Sequence, residues 1–192
     1  MKVVLASKNP HKLVEIRKIT EKFGMELVLE SELGVDIEVE ETGTTFEENS
    51  LLKAEAVMKA TGLPALADDS GICVDALGGE PGIYSARYGF DPTLDDFGRL
   101  RLLLKNTEAV PDGKRQAQFV CVISFVTPEG KVIQARGEVH GELLRAPGDK
   151  APYPAAPGLR VAFLRRMPPM VGDVQMDAFF HLPFVLDEPW ED

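Results

Sequence analysis

Val3-Val4-Leu5-Ala6-Ser7-Lys8-Asn9-Pro10-His11-Lys12-Leu13 is the stretch whose reading decides the fold. A short apolar run with buried-strand character passes into a polar turn. The turn passes into a segment whose apolar residues, Leu13, Ile16, Ile19 and Phe23, recur at helical spacing until Gly24. Asn9 stands where a helix cap is needed, and Pro10 takes the first helical position, where its missing N–H costs nothing. Leu27-Val28-Leu29 then reads as a second strand. The chain thus opens as strand, helix, strand, the signature of an α/β fold.

Outward from this opening, Thr44, Thr45 and Glu48 announce a second helix. Thr45 and Glu48 have capping-box spacing, and the helix is expected to reach about Thr61 and stop at Gly62, with Phe46, Leu52, Ala56 and Ala60 facing inward. Ala65-Leu66-Ala67 predicts a short strand that delivers Asp68-Asp69-Ser70-Gly71 at its end, with Ile72-Cys73-Val74 following. Gly78-Gly79-Glu80-Pro81-Gly82 predicts a loop. A third helix is expected from about Leu94 to Lys105 with Thr93 as its cap. Gln116 to Thr127 and Lys131 to Leu144 are strand-like, and Pro128-Glu129-Gly130 between them suits a hairpin. Alternating elements followed by a late hairpin predict a mixed sheet with helices packed on it.

The remainder differs in composition. Eight of the 14 prolines lie at or after Pro147. Proline removes a backbone donor and breaks helices, so residues 147–158 are expected to hold little regular structure. Short strands at Arg160 to Leu164 and around Ala178 to Phe180 are expected, and a full C-terminal helix is not.

The chain has 192 residues, with 21 Lys and Arg against 31 Asp and Glu, a net charge of −10 and 44% hydrophobic residues. That length predicts one domain, residues 1–192, with a sizeable core, whose segment 148–192 is proline-rich. The acidic balance argues against nucleic acid or an anionic membrane as partner. The longest strongly apolar stretch, Phe119 to Val126, is far short of the roughly 20 residues a spanning helix needs. Cys73 and Cys121 each sit in an apolar run and read as buried free thiols. These features point to the cytoplasm.

Charge is also patterned. Met1 to Lys22 carries six Lys and Arg, whereas Phe23 to Leu52 carries nine acids and no Lys or Arg. Ser7 to Lys12 sits where a strand gives way to a helix. The free N–H groups and positive dipole end found there suit a phosphate, and Lys8 and Lys12 add point charges. The glycine spacing of a Walker loop is absent. Asp68-Asp69-Ser70-Gly71 places two carboxylates at a strand end, where α/β sheets bind ligands. Hard oxygens of this kind suit Mg²⁺, which takes one or two carboxylates together with phosphate and water. Glu40 or Glu41 is positioned to add a further carboxylate, and Lys53 falls on the following helix. His11, His140 and His181 lack metal-ligand spacing with either cysteine, and no motif places a histidine beside Ser70 for a nucleophilic triad.

These blocks together resemble the inosine-triphosphate pyrophosphatases. Ser7-Lys8-Asn9-Pro10-His11-Lys12 is similar to the family's S/T-x-N-x-x-K opening. Glu40-Glu41-Thr42-Gly43-Thr44-Thr45-Phe46-Glu47-Glu48-Asn49 with Lys53-Ala54 resembles its second block. Leu66 to Gly71, with Gly82-Ile83-Tyr84-Ser85-Ala86-Arg87-Tyr88, resembles its third. Gln116 to Phe119 and Gly137 to Gly141 continue the likeness, which covers residues 1–147. The related Maf pyrophosphatases fit less well, because His11-Lys12 follows Pro10 where they carry two arginines.

The resemblance implies an α/β fold with a long mixed central sheet and flanking helices, residues 1–192 as a single two-lobed domain around a cleft with 148–192 divergent, a homodimer, and Mg²⁺-dependent hydrolysis of ITP, dITP and XTP to the monophosphate and pyrophosphate. It implies that Ser7, Lys8, Asn9, Pro10, His11 and Lys12 hold the triphosphate, with Lys53 adding charge and Ser70 touching substrate. Asp69 is the implied general base and a metal ligand, supported at the metal by Asp68 and by Glu40 or Glu41. After Pro147 the likeness ends: the family's Phe-Gly-Tyr-Asp-Pro and Ser-His-Arg blocks, which hold the purine, are absent. Met176-Asp177-Ala178-Phe179-Phe180 up to Pro183 is a faint echo of the first. Divergence and a reading-frame change in the gene both account for such a segment. The alternative function is a nucleotide- or phosphate-binding protein with impaired or relaxed-specificity turnover.

Overall fold

The computed structural model describes residues 1–8, 10–146 and 165–166. β1 (Lys2–Leu5), α1 (Pro10–Thr20) and β2 (Glu26–Leu29) realise the expected opening, with β1 and β2 parallel and Val3 opposite Leu27. Pro10 is the first helical residue, as expected, while the capping role assigned to Asn9 lies outside the described residues. After Thr20 the chain tightens into a 3-10 turn, Glu21–Phe23, that ends at Gly24 with φ +69°. The tighter turn takes Phe23 off the apolar face of α1, and it is 67% exposed rather than inward.

α2 (Phe46–Thr61) runs between the expected ends, Thr45 and Gly62. Its buried face is Phe46, Asn49, Ser50, Ala54 and Val57, so the expectation of Leu52 and Ala60 as inward residues is corrected. Two polar residues take the place of apolar ones. Ser50 makes a buried hydroxyl–hydroxyl bond of 2.6 Å with Ser124, which an apolar periodicity does not reveal.

β3 (Ala65–Val74) is one ten-residue strand, not two strands parted by a turn. Asp68 and Asp69 therefore lie within a strand rather than at its end. Gly71, expected at the end of a short strand, lies inside β3 at a place of close approach. A Cβ there would lie 2.3 Å from the Gly82 carbonyl oxygen and 2.5 Å from Ser85 Oγ. α3 (Asp96–Asn106) is capped by Asp95, whose side chain accepts the Gly98 N–H, and not by Thr93, which is engaged with Asp91. β4 (Gln116–Val126) and β5 (Val132–Glu142) flank the expected hairpin turn.

With β6 (Arg165–Arg166), antiparallel to β5, the strands form one mixed sheet in the order β2-β1-β3-β4-β5-β6. The strand expected at Arg160 to Leu164, the irregular segment 147–158 and the strand near Ala178 lie outside the described residues. No described helix is long and apolar enough to cross a membrane. Cys73 and Cys121 are buried and form no disulfide.

The chain divides into two compact units, Met1–Ser70 with Cys121–Gly137 and Gly71–Val120 with Glu138–Asp192. In the first unit, β1 and β3 bury both faces. Val3, Leu5, Leu13, Leu27 and Leu66 pack on the α1 side, and Val4, Val28, Val57 and Ala65 on the α2 side. The period-two alternation of a strand places successive residues in opposite layers, and each large apolar side chain so buried contributes about 2 kcal/mol. The second unit is built on Ile72, Val74, Tyr88, Leu103, Ala117 and Leu143. Its buried Arg115 guanidinium donates to the carbonyls of Thr107, Leu143 and Leu144.

Candidate active site

The same alternation that builds the core of the first unit distributes its charges. Along β3, Ala65 packs with α2, Leu66 with α1, and Ala67 with Ala54 of α2. Continuing the pattern, Asp68 meets Lys12 from α1 and Asp69 meets Lys53 from α2. The two adjacent carboxylates thus emerge on opposite faces of the sheet.

Their burial is nearly equal, 5% and 7% exposed, but their electrostatics differ. Burial alone would raise the Asp68 carboxyl. The Lys12 ammonium, which donates to Oδ2, outweighs it and leaves Asp68 below the ordinary carboxylate range, with Lys53 assisting. Asp69 goes the other way: burial raises it, Lys53 opposes, and the charges of Glu41 and Asp68 reinforce the rise. Lys53 Nζ donates to Asp69 Oδ1 and to Glu41 Oε1, both at 2.9 Å. Burial pushes the Lys53 ammonium down, and its two carboxylates more than restore it, so it remains charged. The buried Oδ2 of Asp69 has no hydrogen-bond partner among the described residues.

The segment before α2 supplies Glu41. Glu40 is exposed while Glu41 turns in to Lys53, which decides between the two carboxylates that the sequence left open. The N-terminus of α2 fastens this segment. Thr45 Oγ1 accepts the Glu48 N–H, the expected half of a capping box, but the Glu48 carboxylate accepts from the N–H and hydroxyl of Thr44 rather than from Thr45. Asn49 Oδ1 accepts the Gly43 N–H at 2.8 Å. Asn49 is a functional-site residue that the sequence reading does not assign. Its spacing of four from Lys53 was the available signal.

Other expected residues are placed apart from this cluster. Lys8 pairs at the surface with Asp36, its side chain 59% exposed. Ser7 follows β1, and strand alternation puts Ser70 on the Asp68 face. The Pro10 and His11 side chains and all of Asn9 lie outside the described atoms. Cys121 lies within the field of both Asp–Lys sets, and burial pushes its thiol up to about 12, which keeps it protonated and unreactive.

No group of three or more His, Cys, Asp or Glu is gathered as a metal cage among the described residues. Glu41 and Asp69, with one unpartnered buried carboxylate oxygen, nevertheless match the donor set of a Mg²⁺ that takes one or two carboxylates and completes its shell with phosphate and water.

A family model described as the Ham1 family matches residues 3–152. A protein from Photorhabdus laumondii named dITP/XTP pyrophosphatase is 51% identical over 125 residues, which cover 65% of this chain and 62% of that protein. The chain therefore matches less than two thirds of that relative's length. One of the same name from Symbiobacterium thermophilum is 49% identical over 149 residues, covering 76% and 72%. Among solved structures, the nucleoside-triphosphatase / dITP/XTP pyrophosphatase of Mycobacterium abscessus superposes with a TM-score of 0.73 at 39% identity, covering 86% of this chain and 84% of that one. A HAM1 protein from Coxiella burnetii also gives 0.73, at 36% identity, covering 84% and 82%. The family match, the identities over most of the chain and the shared fold agree with the motif reading of residues 1–147: the chain belongs to the Ham1 family.

Proposed function

We propose that this protein hydrolyses non-standard purine nucleoside triphosphates, ITP, dITP and XTP, to the nucleoside monophosphate and pyrophosphate. The names of the relatives support the substrate class. The observation that carries the chemistry is Asp69, with one carboxylate oxygen on Lys53, the other buried without a partner, and an affinity for protons raised by burial.

A general base works best when its pKa approaches the working pH, and burial moves Asp69 in that direction. Asp69 Oδ2 takes the proton of a water that attacks the α-phosphorus. The new phosphorus–oxygen bond forms as the α–β anhydride bond breaks, and pyrophosphate leaves. Lys53 fixes Asp69 Oδ1 and keeps the second oxygen directed away from itself. Lys12 is shared between Asp68 and the incoming triphosphate, and Ser7, Lys8, Asn9, Pro10 and His11 line the phosphate-holding turn with it. Glu41 and Asp69 would hold a Mg²⁺, which when bound offsets charge on the phosphates and the leaving pyrophosphate. Asp68, expected in the sequence among the metal residues, takes part through Lys12. Ser70 contacts substrate. The protein works as a cytoplasmic homodimer on a small-molecule substrate, without nucleic acid or membrane.

Incubation with ITP and Mg²⁺ tests the reading. Pyrophosphate release that disappears in Asp69→Asn supports it, whereas saturable ITP binding with no release overturns it in favour of a binding protein. Selectivity for the base is assigned to the region after residue 147. A chimera carrying a family-type C-terminus in place of residues 148–192 should gain ITP-over-ATP selectivity, and no gain overturns that assignment.

A further inference from the structure

We propose that Asn49 is a positioning residue, holding the Glu41–Gly43 segment on α2 so that Glu41 is presented to Lys53 and Asp69. The inference rests on the reading of Glu41 as part of the active site.

Asn49 is fully buried, at 0% exposure. Its Oδ1 accepts the Gly43 N–H at 2.8 Å, and its Nδ2 has no partner among the described residues. A half-used buried amide carries a desolvation cost that an apolar side chain would not. What the amide supplies in return is one acceptor, directed at Gly43. The absence of a side chain at Gly43 is explained by the same contact. A Cβ there would lie 2.6 Å from Asn49 Oδ1 and 2.7 Å from Glu48 Cβ, so the segment's backbone rests directly on the first turn of the helix.

Lys53 follows Asn49 by four residues, which puts the two side chains one turn apart on the same face of α2. Asn49 holds the backbone at Gly43, and Lys53 holds the carboxylate at Glu41, two residues earlier. Two attachments one turn apart fix both the place and the direction of the segment. The Lys53–Glu41 pair, with many rotatable bonds, constrains the backbone of the segment weakly, and the Gly43 bond supplies that constraint. Precise placement of a charged group at a reacting centre is worth far more than the single bond that secures it.

A double-mutant cycle tests this. Asn49→Ala should lower pyrophosphate release from ITP on the order of tenfold to a hundredfold. It should also raise the Mg²⁺ concentration for half-maximal rate, with the thermal midpoint and urea curve showing a folded protein. In a Glu41→Gln background the same Asn49→Ala change should cost less than about threefold, because its target is already gone. Asn49→Asp keeps the Oδ1 acceptor, and burial favours its neutral acid form, so it should recover part of the rate. Equal losses in both backgrounds, or no recovery in Asn49→Asp, would show that Asn49 serves only packing and overturn the proposal. Amide hydrogen exchange at residues 41–45 reads the same point without turnover. Exchange should quicken by about tenfold or more in Asn49→Ala and return towards wild type in Asn49→Asp. Unchanged exchange overturns the positioning role. Wild-type protein that releases no pyrophosphate overturns the hydrolase reading alone, and the exchange measurement then decides the role of Asn49.

Discussion

Asp68 and Asp69 are neighbours on one strand, 5% and 7% exposed, yet one carboxyl lies below the ordinary range and the other above it. Burial pushes both upward and is the largest influence on each. On the α1 face, the charge and hydrogen bond of Lys12, with the charge of Lys53, together overcome it. On the α2 face, Lys53 is divided between Asp69 and Glu41, one Asp69 oxygen is left bare, and burial prevails. Depth is nearly the same for both, so the difference in their proton affinity follows from how each lysine is shared. The α1 face holds one ion pair, and the α2 face holds one lysine between two carboxylates, with the Asp69 carboxyl raised.

The comparison breaks most severely at Asp69. Replacing it by Asn removes the proton acceptor on the α2 face, and ITP hydrolysis should fall on the order of 10³-fold while the fold persists. The corresponding Asp68→Asn change on the α1 face should cost far less in rate. Initial-rate measurements on the two variants check the contrast, and equal losses would mean that the faces are not divided as described.

Next in size is Lys53. Its loss in Lys53→Met leaves the buried Asp69 and the half-buried Glu41 without their cation, and the protein should lose on the order of 3 kcal/mol in urea denaturation at neutral pH. Glu41→Gln combined with Lys53→Met should recover part of that loss, since one of the stranded charges is then gone.

Lys12→Ala probes the α1 face. It should weaken binding of ITP on the order of tenfold more than binding of inosine, because only the triphosphate loses a charged partner. Calorimetric titration with both ligands measures this, and equal weakening of the two would remove Lys12 from the phosphate site.

A smaller and more diagnostic effect lies in the pH dependence of stability. Asp68, depressed in the folded protein, contributes stability that is present above its ordinary value near 3.8 and is lost as pH falls through its lower folded value. Asp69, raised in the folded protein, binds its proton more tightly when folded. Its contribution therefore declines as pH rises from near 3.8 through its higher folded value. Denaturation of the metal-free protein across this range should show a rising contribution that disappears in Asp68→Asn and, at higher pH, a falling one that disappears in Asp69→Asn. Least of all should be felt at the solvent. The Arg136–Glu47 pair, with side chains 43% and 37% exposed, should change stability by less than about 1 kcal/mol in Arg136→Ala.

Much of this arrangement was legible in the chain itself. The β1–α1–β2 opening, the limits of α2 at Thr45 and Gly62, and the β4–β5 hairpin follow from periodicity, caps and turn residues, which act over a few residues and leave their mark locally. The motif blocks named the family and most of the candidate site. Several of the differences come from partners that no local pattern shows. Gly71 is glycine because of its contact with Gly82 and Ser85, more than ten residues away. Asn49 and Ser50 carried no apolar signal because their partners are the Gly43 backbone and Ser124.

The sequence by itself determined the α/β class, the order of its elements and which residue types could meet a triphosphate, because propensity, capping and charge are properties of short segments. Only the tertiary structure decided that Asp68 and Asp69 face opposite ways, that Glu41 and not Glu40 turns inward, and that one lysine serves two carboxylates. Those outcomes depend on strand register and on which helix covers which face. Two adjacent aspartates acquire different chemistry only when the sheet beneath them is closed on both sides.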